Sequence, residues 1–257
     1  MCLINFNIGA HPKYKMIMAA NRDETYERPT SQIAWWDDHP NIFGGRDLKA
    51  NGTWLAVTKS GKIGALTNIR NVEEMTKIAD KSRGELIVNY LLSNQNGEEY
   101  LNQLKSKKED YAGYNLLVGD TDRLYYMNNY QYDISEVTPG THGLSNEFLN
   151  SPWPKVLIGK VELDKVLTDD DIDVEALFTF LGNTREASDD QVQQTGVDFE
   201  LEKQLSPLFI NIPDFEYGTR CSSVILVDHD DNITFIERTF YKGQQTGERK
   251  ETIIVKK

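Results

Sequence analysis

Cys2 is the first residue whose type and place could do chemistry. Initiator methionine is commonly removed when the second residue is small, and cysteine is small. The mature chain would then begin with a thiol and a free α-amine on one residue. The thiol, with an unperturbed pKa of about 8.5, is a fair nucleophile. The α-amine, at about 7.7–8.0, is a base near neutral pH. One residue would hold the two parts that a serine–histidine pair divides. Position alone leaves the plainer reading open, a small apolar residue opening an edge strand.

Asn21-Arg22-Asp23-Glu24 comes next, directly after the apolar run Met16–Ala20. In a strand, alternate side chains face opposite ways, so Asn21 and Asp23 share one face and Arg22 and Glu24 the other. Asp23 could hold a protonated amine and orient Cys2. Arg22 is expected to form an ion pair with a nearby carboxylate such as Glu24. Asn68 and Asn146 each stand at the polar edge of a glycine-containing segment. An asparagine amide can donate to a developing oxyanion without titrating, although turn asparagines are common. Arg220 enters an apolar strand, where a guanidinium needs a partner or a partly wet cavity. Cys221, which follows it, reads as a core thiol.

These residues need a frame. Apolar alternation marks strands at 3–8 and 15–20, joined by a loop carrying Gly9 and Pro12. Further hairpins read at 50–58 with 62–68, at 114–120 with 123–129, and at 222–228 with 232–240. The segment 251–257 closes the chain as a last strand. Helices are expected from Ser82, which has capping-box spacing to Glu85, over 98–108, and from Ser151-Pro152. A fourth is expected at Val174–Leu181. The whole reads as one α+β domain over 1–257, with two stacked antiparallel sheets covered by helices.

Composition narrows the classes. The chain has 257 residues, 39% hydrophobic, and a formal net charge of −12. It is long enough for a substantial core, and its acidity argues against a nucleic-acid surface. No apolar run is long enough to span a bilayer. Two cysteines exclude a disulfide framework, and a cytoplasmic location is expected. The acid is concentrated in about 162–202, where 13 Asp and Glu stand against Lys165 and Arg185. That segment reads as a solvated helical face. There is no phosphate-binding glycine loop and no zinc-ligand spacing, so no cofactor and no metal are expected. His11, His39, His142 and His229 are scattered. Trp35, Trp36, Trp54 and Trp153 read as packing residues.

In combination the motifs are distinctive. MCLI at the start, AANRDE at 19–24, GTWLAV at 52–57, GALTNIR at 64–70, SRGELI at 82–87, GLSN at 143–146, PWPKV at 152–156 and YGTRCSSVILVD at 217–228 occur in order. The chain thus resembles the NRDE family, also called the transport and Golgi organisation protein 2 family. That family in turn resembles the N-terminal nucleophile hydrolases of the penicillin V acylase and bile salt hydrolase group. The resemblance implies a four-layer αββα sandwich. It implies Cys2 as nucleophile, Asp23 near the amine with Asn21 beside it, Asn68 and Asn146 around the oxyanion, and Arg220 as the late arginine. One position departs: those acylases carry an arginine three residues before the aspartate, and here that residue is Ala20.

Two functions follow as expectations. The first is a cysteine amidohydrolase acting on a small-molecule amide through an acyl-enzyme on Cys2, with no nucleic-acid partner and no membrane insertion. The second is a non-catalytic binding or trafficking protein on the same fold, haem-related as the resemblance to eukaryotic members implies. The first requires a free amine at Cys2. An intact-mass spectrum of natively expressed protein should therefore show a chain one methionine short; full retention of Met1 would count against catalysis.

Overall fold

The computed structural model of the chain describes residues 2–72 and 79–256. The expected loss of Met1 therefore falls outside the described residues. β1 (Cys2–Ile8), β2 (Tyr14–Thr25), β3 (Thr30–Trp35), β4 (Ile42–Asp47), β5 (Leu55–Thr58) and β6 (Ile63–Asn68) come first. Helices α1 (Gly84–Leu92) and α2 (Gly97–Leu104) precede β7 (Tyr114–Gly119), β8 (Leu124–Asn128), β9 (Ser135–Glu136) and β10 (Gly140–Leu144). Then come α3 (Pro154–Val166), α4 (Val174–Leu181) and α5 (Phe199–Gln204). β11 (Asn211–Ile212), β12 (Tyr217–Asp228), β13 (Asn232–Tyr241) and β14 (Gln244–Ile254) end the chain.

The strands form two antiparallel sheets. One runs β10-β1-β2-β12-β13-β14, with β11 on β12; the other runs β3 through β9 in chain order. Alternation divides each strand between two cores. Ile4, Phe6, Met16, Met18, Ile225 and Phe235 meet Leu55, Val57, Ala65 and Leu117 of the facing sheet. Leu3, Ile17 and Ala19 face the other way, onto Val156 and Leu163 of α3 and Leu177 of α4. Leu86, Ile87 and Tyr90 of α1 cover the outer face of the second sheet against Leu116 and Val118. The layers are α, β, β and α, the sandwich that the family resemblance implied. Among the described residues, no helix is long and apolar enough to cross a membrane.

Several local expectations are corrected. Ser82 does not cap α1; the cap position is Arg83, already helical in backbone, with no side-chain cap bond. α3 begins at Pro154 rather than Pro152, with Trp153 at its cap, and Ser151 Oγ instead accepts the N–H of Phe148. The capping box lies at α2, where Asn96 and Glu99 satisfy each other's backbone. The acidic segment is not one helical face. It holds the end of α3, then α4 and α5, and an irregular stretch at 182–198.

The motif glycines are packing contacts. A Cβ on Gly52 would lie 2.6 Å from the carbonyl carbon of Gly84, so the loop before β5 and the start of α1 touch backbone to backbone. That contact sets Trp54 and Arg83 into one cavity wall. A Cβ on Gly143 would lie 2.8 Å from Val156 Cγ1, which seats β10 under α3. Gly52→Ala should destabilise the chain by about 1–3 kcal/mol through overpacking against rigid backbone, read as a lower urea midpoint with an unchanged slope.

Candidate active site

Cys2 opens β1 opposite Arg22 of β2. On the other edge of β2, Arg22 stands opposite Cys221 of β12. Cys2 and Cys221 both belong to the core between the sheets. Alternation along β2 therefore puts Arg22, not Asp23, on the face of the Cys2 thiol. Arg22 donates to Thr30 Oγ1 at 3.2 Å and lies 3.8 Å from Glu24 Oε2, the ion pair expected for it. Cys2 is 7% exposed. Burial pushes its thiol up to about 11, and the Arg22 charge opposes that rise.

Cys2, Arg22, Asp23, Glu24, Trp54 and Asn68 line one cavity of about 150 Å³. That volume suits a ligand of about benzene size. Its mouth is charged. Arg28 bonds Asp47 at 2.6 Å, and Arg46 grips Asp38 through both its terminal nitrogens.

Asn68 ends β6 on one sheet, and Asn146 follows β10 on the other. Asn146 Nδ2 donates to both the backbone and the side-chain oxygen of Asn68, each at 3.1 Å. Because Asn68 Oδ1 is taken, its Nδ2 is the end left to face the cavity. Ser145 ties this brace to the start of β1: its Oγ donates to the carbonyl of Cys2 at 3.2 Å. Asn146 itself lines a different cavity, behind the brace.

Asp23 is buried and accepts from Thr219 Oγ1 at 2.7 Å. Burial raises its pKa, while the Lys155 charge and the Thr219 bond act against the rise. Asn21, on the same side of β2, donates to the carbonyls of Leu181 and Leu208 at 2.9 Å each and accepts from Ser222. It is an anchor for the helical layer. Arg220 sits at a register shift in β12. Its Nη1 donates to the carbonyls of Thr25 and Arg28 at 2.7 and 3.1 Å. It lines a neighbouring chamber rather than the Cys2 cavity, and the two chambers share Thr30, Gly45 and Trp54. The structure thus gathers Cys2, Asp23 and Asn68, braces Asn146 against Asn68, and sets Arg220 next door.

Two buried groups were not expected. Lys155, in the first turn of α3, is fully buried and donates to the carbonyl of Leu205 at 3.0 Å. Burial and the Arg70 charge bring its pKa down to about 8, against the pull of Asp23 and Glu202. Arg70 and Glu202 form a buried ion pair at 2.8 Å. Both cations sit in quoted motifs, but only their burial marks them. Among the described residues, no group of three His, Cys, Asp or Glu is placed to hold a metal ion.

A nucleophile candidate at the open end of a strand, between two stacked sheets clad in helices, is the arrangement of the N-terminal nucleophile hydrolase fold. The C2A mutant of conjugated bile acid hydrolase from Clostridium perfringens shares the fold of stacked sheets and helices with a TM-score of 0.55, over 97% of this chain and 96% of that one, at 9% identity. The chain belongs to the Transport and Golgi organisation 2 family, whose model matches residues 1–242. The Homo sapiens Transport and Golgi organization protein 2 homolog is 32% identical over 260 residues, 93% of each chain. The Drosophila melanogaster protein is 29% identical over 281 residues, 100% of this chain and 98% of that one.

Glu237 of β13 shares the neighbouring chamber with Arg220. Burial lifts its carboxyl from 4.5 to about 7. Between those values the folded chain binds more protons than the unfolded chain, so this group lowers stability as pH rises. Glu237→Gln keeps an acceptor for the N–H of Ile33 and removes the titration. Its melting temperature relative to the parent should climb as pH goes from about 5 to about 8; a pH-independent difference would contradict this.

Proposed function

We propose that the chain is a cysteine amidohydrolase for small amides. The observation that carries this reading is the lining of one small cavity by Cys2, Arg22 and Asn68. Once Met1 is removed, the α-amine of Cys2 takes the proton from its own thiol. The thiolate attacks the amide carbonyl, and Asn68 Nδ2 donates to the oxyanion that forms. Collapse breaks the C–N bond, and the α-ammonium gives its proton to the departing amine. Water, deprotonated by the same amine, then attacks the thioester, releasing the acid and restoring the thiol.

The other residues hold this geometry. Asn146 fixes which end of Asn68 faces the substrate. Asp23 steadies the positive charge on the amine. Arg22 supplies, from the thiol's own face, a guanidinium where Ala20 offers none. Its charge favours the thiolate against a burial that disfavours it. Arg220 orders the turn after β2 through two backbone carbonyls.

The test is a panel of N-acyl amides and β-lactams, read by released amine or ring opening. Cys2→Ala should abolish turnover and Cys2→Ser should slow it by about 100-fold or more, since the thiolate is the better nucleophile near neutral pH. Cys221→Ala should have little effect. Asp23→Asn should lower turnover while leaving the fold intact. Turnover that survives Cys2→Ala would overturn the nucleophile assignment. No turnover anywhere, with ligand binding that survives Cys2→Ala, would favour a binding protein on this fold.

A further inference from the structure

The chamber beyond Arg22 has a volume of about 340 Å³. It begins where the Cys2 cavity ends, since Thr30, Gly45 and Trp54 line both. Cys2, Arg22 and Cys221 stand in one row across β1, β2 and β12. The chamber is thus reached two strand spacings, about 10 Å, from the nucleophile's strand. That is the reach of a small extended molecule.

The chamber wall is polar, with hydroxyl and amide groups between Arg220 and Glu237. Gln32 donates to Thr239 Oγ1 at 2.8 Å, and Thr239 and Thr246 share a hydroxyl contact at 3.0 Å. Glu237 lies at its buried side. Oε1 accepts the N–H of Ile33 at 2.9 Å. Oε2 lies 3.6 Å from where a Cβ on Gly45 would stand, so the missing side chain leaves the carboxyl facing the passage between the chambers. Glu237 is 2% exposed, and among the described residues no cation forms an ion pair with it. A buried carboxyl with no paired cation is costly to keep. The Cys221 thiol also donates to this carboxyl, but neither that bond nor the one from Ile33 explains the cost, because a glutamine oxygen accepts as well.

We infer that this chamber receives the end of the substrate remote from the scissile amide, and that Glu237 selects there for a neutral hydrogen-bond donor, a hydroxyl or a primary carboxamide. An ammonium end is disfavoured by the guanidinium of Arg220 in the chamber wall and by Arg22 and Arg249, whose charges already act on Glu237. A carboxylate end would meet the Glu237 carboxyl. An alkyl end would leave the hydroxyl-lined wall without its hydrogen bonds. The inference rests on the amidohydrolase reading of Cys2 and narrows its substrates.

The experiment uses two series of matched small amides. In one the acyl group ends in methyl, hydroxyl, carboxamide, ammonium or carboxylate; in the other the amine side carries the same ends. kcat/KM should favour the hydroxyl or carboxamide member of one series over its methyl isostere by at least about tenfold. Glu237→Gln should shrink that ratio to within about twofold, and the hydroxyl and carboxamide arms show which group is preferred. Binding is read in parallel on Cys2→Ala by the NMR shift of the Trp54 indole N–H, which lines both chambers. Equal kcat/KM for all ends in both series, or a preference that Glu237→Gln leaves intact, overturns the inference and spares the amidohydrolase reading. No turnover by the parent, with a Trp54 shift for hydroxyl or carboxamide ends that is lost in Cys2→Ala/Glu237→Gln, overturns the amidohydrolase reading and keeps the chamber's selectivity. Neither turnover nor a shift overturns both.

Discussion

β2 is hydrogen-bonded along both edges, to β1 on one side and β12 on the other, and a strand held on both sides cannot slip. A slip of one residue would move every side chain to the opposite face. Ala20, Met18 and Met16 would leave the core between the sheets, and Asn21 would lose its carbonyls in the helical layer. The cost of that exchange fixes Arg22 opposite Cys2, and with it the electrostatics of the cavity. The residues that could do chemistry lie where two well-packed faces of one strand run out. Hydrophobic packing further along β2 therefore acts on the polar end as a positioning force.

The polar end is held by charge as well. Arg70 reaches Glu202, and Lys155 reaches the end of α5 at Leu205. Both helices of that corner are thereby tied beneath Asp23. Breaking a buried pair from one side leaves an uncompensated charge, a loss of about 3–5 kcal/mol. The corner is a rigid support rather than an adjustable one. It also separates two kinds of acid in the segment 162–202. Glu202 is buried and paired, whereas Asp169, Asp170, Asp189 and Asp190 lie at the surface, where salt screens them.

Sequence patterns revealed some features and concealed others for physical reasons. The hairpins built on Leu3–Ile8, Ile63–Asn68, Tyr114–Gly119 and Val224–Asp228 showed because apolar alternation is local. α4 showed at its true ends because Asp173 caps it and Leu177, Phe178 and Leu181 share a face. β3 and β4 did not show. Their runs carry Thr30, Ser31, Gln32, Gly44, Gly45 and Arg46, and they line cavities more than they fill cores. β10 closes the first sheet beside β1 although the two are far apart in the chain, and no local signal announces such a pairing. At the site, Cys2, Asp23, Asn68, Asn146 and Arg220 were nameable by type and motif. That Arg22 shares the thiol's face needed the register, and the roles of Lys155 and Glu202 needed burial.

β14 lies at the rim of the first sheet, joined to β13 by a tight turn in which Lys242 and Gly243 both have positive φ. The Drosophila melanogaster relative aligns over 100% of this chain, this strand included. β14 covers the backbone edge of β13, whose Ile233, Phe235 and Ile236 are buried. Its own free edge presents Glu248, Arg249, Lys250 and Glu251 in succession. A run of charged side chains on an outermost strand discourages a second chain from adding to the sheet. The last hairpin thus serves colloidal behaviour: it ends the sheet in a strand that other strands have little reason to join.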